Sequence, residues 1–152
     1  MSEVCEQVTM RIDGGLTEPS INTDLRTDEP YDFKALSEET RNKKAQDENL
    51  MIVYPEDNVL QIDIDNEHSY LVFQNQMKIL CNFLKVLNWI DNPSKSGLPK
   101  RHITVHLDKS VTPLERIALQ AMLGSDRIRE LLGFIRLNRG ELRPTCFFER
   151  KP

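Results

Sequence analysis

Two short segments in which apolar and polar residues alternate constrain the fold of this 152-residue chain most strongly. They are residues 59–65 (VLQIDID) and residues 101–107 (RHITVHL). Successive side chains of a β-strand point to opposite faces, so each segment predicts a strand with one apolar face and one polar face. Asp63 and Asp65 lie on the polar face of the first strand, and His102 lies on the polar face of the second.

The regions around these two strands predict a hairpin and a long helix. Residues 50–54 form an apolar run, and the turn residues 55–58 join it to the next strand, which is typical of a hairpin. Apolar residues at steps of three and four predict a helix lying between residues 69 and 91. Residues 92–100 have the composition of a loop.

The C-terminal third adds two helices and two strands. Thr112-Pro113 with Glu115 is a strong helix start, a capping box with Pro at the first helical position, and this helix stops at Gly124. A second, shorter helix follows and ends at Gly133. Strands are predicted over residues 134–137 and 145–148. The chain is therefore expected to be an α+β domain whose mostly antiparallel sheet is covered on one side by helices.

The charge distribution divides the chain into an acidic and a basic part. Net charge is −6 over residues 1–48, −4 over residues 49–92 and +6 over residues 93–152. Residues 1–48 are predicted to be an acidic, largely disordered segment with a short helix from Ser37, and residues 49–152 to be the folded domain. An acidic cluster followed by a basic region is compatible with a metal ion and phosphates sharing one cleft.

Composition also excludes several classes of protein. No apolar run approaches the length needed to cross a bilayer, and the N-terminus has no apolar stretch typical of a signal peptide. Cys5, Cys81 and Cys146 have no paired spacing, which argues against a disulfide framework and a cysteine zinc site. The expected location is the cytoplasm, or the host cytoplasm if the protein is viral.

Asp63 and Asp65 form the sharpest chemical feature. Carboxylates two residues apart on a strand project from the same face, which is costly unless a positive charge lies between them. A divalent cation such as Mg²⁺ prefers oxygen ligands together with substrate phosphates. The pair is therefore a candidate metal site, and the alternative is two solvated side chains near a strand end.

Other polar residues suit phosphate binding. The loop Ser94-Lys95-Ser96-Gly97 leads through Lys100-Arg101-His102 into a strand, and hydroxyls, cations and backbone amides of such a loop can surround a polyphosphate. Asp126 lies at a helix start, where a carboxylate also has a structural role. Arg136 belongs to a cluster of arginines near the Gly140 turn that suits bidentate phosphate contacts.

The order of these features resembles the catalytic module of the archaeo-eukaryotic primase superfamily, the primase–polymerases, in the small form carried by plasmids and phages. The matching stretches are IDID (62–65), SKSGLPKRH (94–102), GSD (124–126) and IRLNRGELRP (135–144). The resemblance covers about residues 50–149 and implies an RRM-like core. It implies metal-dependent nucleotidyl transfer in phage or plasmid replication, as a primase or DNA polymerase-like protein.

The resemblance also implies roles for individual residues. Asp63, Asp65 and Asp126 would be the catalytic carboxylates that bind Mg²⁺ or Mn²⁺. The nucleotide-binding residues would be Ser96, Lys100, Arg101, His102 and Arg136. The implied partners are a nucleoside triphosphate, single-stranded or template DNA, and a replication protein such as a helicase or a second subunit, with no membrane.

Two other classes of function stay open. A non-catalytic nucleotide- or nucleic-acid-binding replication accessory protein derived from this fold would use the basic region without turnover. A 2H phosphoesterase needs two His-x-Ser/Thr strands. His102 with Thr104 supplies one, and neither His68 nor His106 supplies the other.

Overall fold

The computed structural model describes residues 37–152, so the prediction for residues 1–36 lies outside the described residues. The described chain contains four helices and five strands in the order αββαββααβ. They are α1 (Glu38–Asp47), β1 (Leu50–Val53), β2 (Val59–Ile64), α2 (Glu67–Leu80), β3 (Val86–Pro93), β4 (Arg101–Leu107), α3 (Pro113–Met122), α4 (Arg127–Asn138) and β5 (Phe147–Arg150).

The larger sheet is antiparallel, with strand order β2-β4-β3. One face of β2 and β4 is fully apolar and packs against α2, as the alternation predicts. The sheet and α2 enclose one hydrophobic core, whose buried side chains are Leu60, Ile62, Ile64, Phe73, Met77, Leu80, Ile103, Val105, Leu107 and Leu123. The α+β class and the antiparallel sheet are therefore confirmed.

The predicted hairpin of the first two strands is wrong. β1 pairs with β5 in a separate two-stranded antiparallel sheet, while β2 pairs with β4. The intervening turn is held by other partners, because the carbonyl of Asn58 accepts from the N–H of Leu107 at 2.8 Å and the carbonyl of Asp57 accepts from Val111 at 2.9 Å. The turn residues are thereby tied to the end of β4 and to the segment before α3.

The predicted helix between residues 69 and 91 is correct only in its first half. α2 ends at Leu80, and the N–H groups of Phe83 and Leu84 both bond to the Leu80 carbonyl at 2.9 Å, which closes the last turn. The residues from Val86 form β3 instead. This segment contains Trp89 and Ile90, which favour strands, and its apolar spacing continued the helical pattern by coincidence.

The predicted short helix and the strand over residues 134–137 are one continuous helix, α4. Gly133 does not end it, because a glycine inside a helix only lowers helix propensity, and here it is buried where α4 packs against Ile117 of α3. Arg136 therefore lies in the last helical turn rather than on a strand. The capping box of Thr112 and Glu115 is confirmed, and Asp126 caps α4 by accepting from Ile128 at 2.9 Å.

The outer edge of β2 is covered by α3, α4 and the connection between them. Val59, Gln61 and Asp63 turn their backbone groups away from β4, and five of these six groups bond to α3, α4 or their connection. The bonds are Arg116 Nε to the Val59 carbonyl (2.9 Å), Gln61 N–H to Gln120 Oε1 (2.8 Å), Arg129 Nη1 to the Gln61 carbonyl (2.9 Å), Asp63 N–H to Ser125 Oγ (3.0 Å) and Asp126 N–H to the Asp63 carbonyl (2.8 Å). The sixth group, the Val59 N–H, donates to the Glu56 carbonyl at 3.0 Å. No further strand can pair with this edge.

The covering residues are joined to one another beneath the strand. Gln120 is fully buried and donates to Glu130 at 2.9 Å, and Ser125 donates to the same carboxylate at 2.7 Å.

Among residues 37–152, no helix is long and apolar enough to span a membrane.

Candidate functional site

A cleft of about 300 Å³ opens on the polar face of β2 and β4, between α4 and the strand β5. It is lined by five of the cationic side chains of the described chain and by His102. The cations are Arg41, Lys44, Lys95, Arg129 and Arg136. The lining also includes the carboxylates of Asp63, Asp126 and Glu130 and the rings of Phe147 and Phe148.

Asp63 and His102 meet at the centre of this surface. They are direct partners in the β2–β4 register, which brings Nε2 of the imidazole 3.7 Å from Oδ1 of the carboxylate. Nδ1 of His102 lies 2.6 Å from Oε1 of Glu149, and the ring stacks on Phe147 with centroids 4.1 Å apart. The imidazole is thus fixed in orientation by β5, with Nε2 directed towards Asp63.

Electrostatics connect the three carboxylates that were predicted to bind metal. Burial raises the pKa of Asp63, whereas Arg129 and His102 lower it and the charges of Asp65 and Asp126 raise it further. The backbone joins Asp63 and Asp126 directly, through the bond from the Asp126 N–H. A cation near Asp63 would relieve both the burial cost and the repulsion among these carboxylates.

The metal-binding prediction rests on two carboxylates rather than on a complete protein cage. In the part of the chain that the structure describes, no three His, Cys, Asp or Glu side chains come together in a way that could hold a metal ion. Mg²⁺ is commonly held by one or two carboxylates with the substrate phosphates. Asp63 lines the cleft and Asp65 follows the end of β2, while the side chain of Asp126 already accepts from a backbone N–H.

Arginine side chains of α4 form the basic wall. Arg129 donates to the Cys146 carbonyl at 3.1 Å and lies over the Phe147 ring at 4.9 Å. Arg136 donates to the Pro144 carbonyl at 3.3 Å. Burial lowers the pKa of Arg136, and the neighbouring Arg41 lowers it further. Like charges held this close suit a ligand that brings negative charge.

Lysines form the opposite entrance of the cleft. Lys44 of α1 and Lys95 of the loop before β4 both lie over the Phe148 ring, at 5.0 and 5.9 Å from its centroid. Lys95 also pairs with Glu48 at 3.2 Å. Two ammonium groups held beside one another over an aromatic ring present positive charge to a phosphate.

Four of the predicted site residues line the cleft: Asp63, His102, Asp126 and Arg136. Asp65 follows the end of β2 outside the cleft, close enough to act on the charge of Asp63. The structure therefore brings together part of the predicted set.

The remaining predicted residues lie elsewhere. Arg101 is on the opposite face of β4, where it pairs with Asp91 at 3.1 Å and lies 4.0 Å from the Tyr70 ring centre. Strand alternation requires this, since Arg101 and His102 are consecutive. Ser96 lines a separate open depression, and Lys100 is exposed in the loop.

Residues that the sequence did not single out complete the site. Glu149 orients His102, and Arg41 and Lys44 come from a helix in the segment predicted to be largely disordered. Burial opposes the charge of Arg41, but its bond to Glu141 at 2.9 Å raises the pKa of the guanidinium. Arg41 and Lys44 are three residues apart in the helix that follows the Ser37 cap, so the sequence could have indicated that both cations lie on one helix face.

Comparison with known proteins gives no relative for this chain: no family model, curated protein or solved structure matches it. The functional argument therefore rests on the site itself.

Proposed function

We propose that this chain binds the phosphates of a nucleotide in the cleft and carries out metal-dependent nucleotidyl transfer as a small primase or DNA polymerase-like protein in phage or plasmid replication. The observation that carries the proposal is the Asp63–His102 pair, which faces the arginines of α4 across one cleft. A carboxylate for a cation and several donors for phosphate are the parts that phosphoryl chemistry requires.

The strand order supports the proposed relationship to the primase–polymerases. The run β2-α2-β3-β4-α3, with sheet order β2-β4-β3, is the order expected of an RRM-like βαββα unit without its last strand. In such a unit the last strand would lie beside β2, and α3 and α4 cover that edge here. The polar sheet face that carries Asp63 and His102 is the face away from α2.

Each residue of the site has a defined task in this proposal. Asp63 and Asp65 would hold Mg²⁺ or Mn²⁺, which when bound neutralises charge on the reacting phosphate oxygens. Arg129 and Arg136 bind phosphate oxygens, and His102, held by Glu149, donates a hydrogen bond from Nε2 when protonated there. Lys44 and Lys95 lie at the entrance, where a template strand of DNA could pass over Phe148.

A second candidate function is a non-catalytic nucleotide- or nucleic-acid-binding replication accessory protein. It is favoured by the lack, within residues 37–152, of a group of three metal ligands, and by the position of Arg101 on the far face of β4. Such a protein would use the five cations of the cleft to hold a phosphate backbone. A helicase or a second subunit would then supply the chemistry.

Two measurements separate these functions. The first follows incorporation of labelled nucleotides on single-stranded DNA, with and without primer, in Mn²⁺ or Mg²⁺. The second measures binding of nucleoside triphosphate and of single-stranded DNA in EDTA. Nucleotidyl transfer predicts incorporation by the wild type and its loss in Asp63→Asn, Asp65→Asn and His102→Ala, with Asp108→Asn as an exposed control.

The accessory function predicts no incorporation, together with binding in EDTA that survives Asp63→Asn and weakens at least about tenfold in Arg136→Met. Lys78→Met, an exposed cation of α2, is the matched control for charge. A chain that neither incorporates nor binds would remove both candidates.

A further inference from the structure

The two edges of the β2-β4-β3 sheet differ in whether their backbone groups are covered. The β2 edge is covered by five hydrogen bonds from α3, α4 and their connection. At the other edge lies β3, an eight-residue strand, and within residues 37–152 its strand partner is β4 alone. A sheet edge of this length is a template for another strand.

The register shows which backbone groups of β3 face outwards. Gln61 and Asp63 of β2 direct their backbone groups to the outer edge of β2 and not towards β4. Their partners on β4, Thr104 and His102, therefore direct their own backbone groups to the other side, towards β3. They meet Asn92 and Ile90, which leaves the N–H and C=O groups of Trp89 pointing away from β4. The same geometry applies to Asp91.

The side chains along this edge are apolar and exposed. Leu87, Trp89 and Ile90 are 53%, 53% and 50% exposed, and no charged residue interrupts β3 between its start and Asp91. Edge strands of monomeric proteins usually carry charges that prevent pairing. Exposed apolar side chains on both faces of an edge strand, separated here only by Asn88, mark an interaction surface.

We propose that β3 is the homodimer interface, pairing antiparallel with β3 of a second copy so that the two sheets become continuous about a two-fold axis. Charge complementarity selects this partner and this direction. Lys85 precedes the strand, and Asp91, which also pairs with Arg101 of its own chain, lies near its end. Antiparallel pairing brings these unlike charges of the two copies together, whereas parallel pairing would place like charges side by side. A two-fold interface needs only one self-complementary surface.

The proposed register is centred on Trp89. There the indole lies opposite the partner subunit's Trp89, an aromatic cross-strand pair. Leu87, the extra residue at the bulge between Val86 and Asn88, comes next to the partner subunit's Asp91. Lys85 is then within diagonal reach of the same Asp91. This surface is separate from the cleft, because Trp89 and Asp91 share the sheet face of Arg101 and not that of His102.

Sedimentation equilibrium of the full chain tests the interface. We expect a mass of twice 17.7 kDa at micromolar concentration, with dissociation on dilution. Trp89 is the single tryptophan of the chain, so its emission should shift to shorter wavelength as the dimer forms. A monomer at every concentration, with constant emission, would overturn the proposal.

Three substitutions test the register. Trp89→Lys places two ammonium groups opposite each other, and Leu87→Asp does the same with two carboxylates, so each should weaken dimerisation at least about tenfold. Leu87→Lys faces the partner subunit's Asp91 and should dimerise as well as the wild type. Leu71→Lys, an exposed leucine of α2, is the control for surface charge.

Circular dichroism establishes that each variant remains folded. Equal weakening by Leu87→Asp and Leu87→Lys would overturn the antiparallel register. A dimer that survives Trp89→Lys, or that is lost in the Leu71→Lys control, would overturn the assignment of the interface to β3.

Discussion

Replacing the buried Gln120 by leucine tests whether the covered edge of β2 stabilises the domain. Gln120 is fully buried, accepts from the Gln61 N–H at 2.8 Å and donates to Glu130 at 2.9 Å. Gln120→Leu leaves a buried backbone N–H without an acceptor and removes a donor from a buried carboxylate. Both groups have already lost their contact with water, so neither can recover its hydrogen bond there.

The expected size follows from these two bonds. An unsatisfied buried N–H costs about 1–3 kcal/mol, and a lost hydrogen bond to a charged group costs about 1.5–3 kcal/mol. Leucine recovers about 1–2 kcal/mol because it buries more apolar surface. The free energy of unfolding should therefore fall by about 3 kcal/mol, a large part of the roughly 5–15 kcal/mol that stabilises a domain.

Urea unfolding followed by far-ultraviolet circular dichroism measures this change. The midpoint should fall while the dependence on urea concentration stays the same, because the surface exposed on unfolding is nearly unchanged. Gln46→Leu, on the exposed side of α1, is the matched control and should change stability by less than about 0.5 kcal/mol. A loss in Gln120→Leu no larger than in this control would refute the role of the edge cover.

Three further outcomes follow from the buried side chains. Burial raises the pKa of Asp63, so its stabilising contribution is complete below the ordinary carboxyl value of 3.8 and is lost as the pH rises through the folded-state pKa. In EDTA at pH 7, Asp63→Asn should therefore have a melting temperature at least as high as that of the wild type, and this advantage should disappear in acid. Thermal melts across pH measure this, and a lower melting temperature of the variant at pH 7 would contradict it. Leu60→Ala, at a fully buried core position, should lower the unfolding free energy by about 2–5 kcal/mol in urea titrations. In a Cys5→Ser background, a thiol reagent should modify the exposed Cys81 quickly and Cys146 slowly, because burial raises the pKa of the Cys146 thiol; equal rates would contradict the burial of Cys146.

Local periodicity was sufficient to predict the elements that have one buried face. β2 and β4 follow from alternation, and the start of α3 follows from the capping box at Thr112. The end of α2 could not be predicted in the same way, because the apolar residues of β3 continue its helical spacing. Gly133 was misread as a helix end because glycine only lowers helix propensity, and α4 continues through it to Asn138.

The candidate site was predictable only where a single strand determines it. Asp63 and His102 were each placed on a polar face, but their direct pairing depends on the β2–β4 register. Glu149 and Lys44 lie far from both in sequence and reach the cleft through β5 and α1. Arg101 was predicted to bind the same nucleotide as His102. This prediction overlooked strand alternation, which places the side chains of consecutive residues on opposite faces of the sheet.

The contrast between the two borders of the sheet limits how far assembly can proceed. Because hydrogen bonds occupy the β2 border completely, a two-fold pair formed through β3 leaves the β2-β4-β3 sheet without a border that could recruit a third copy. Growth through this sheet therefore stops at the pair. Gln120→Leu removes only one of the five bonds on the β2 border, so the other four should keep that border closed to a further strand.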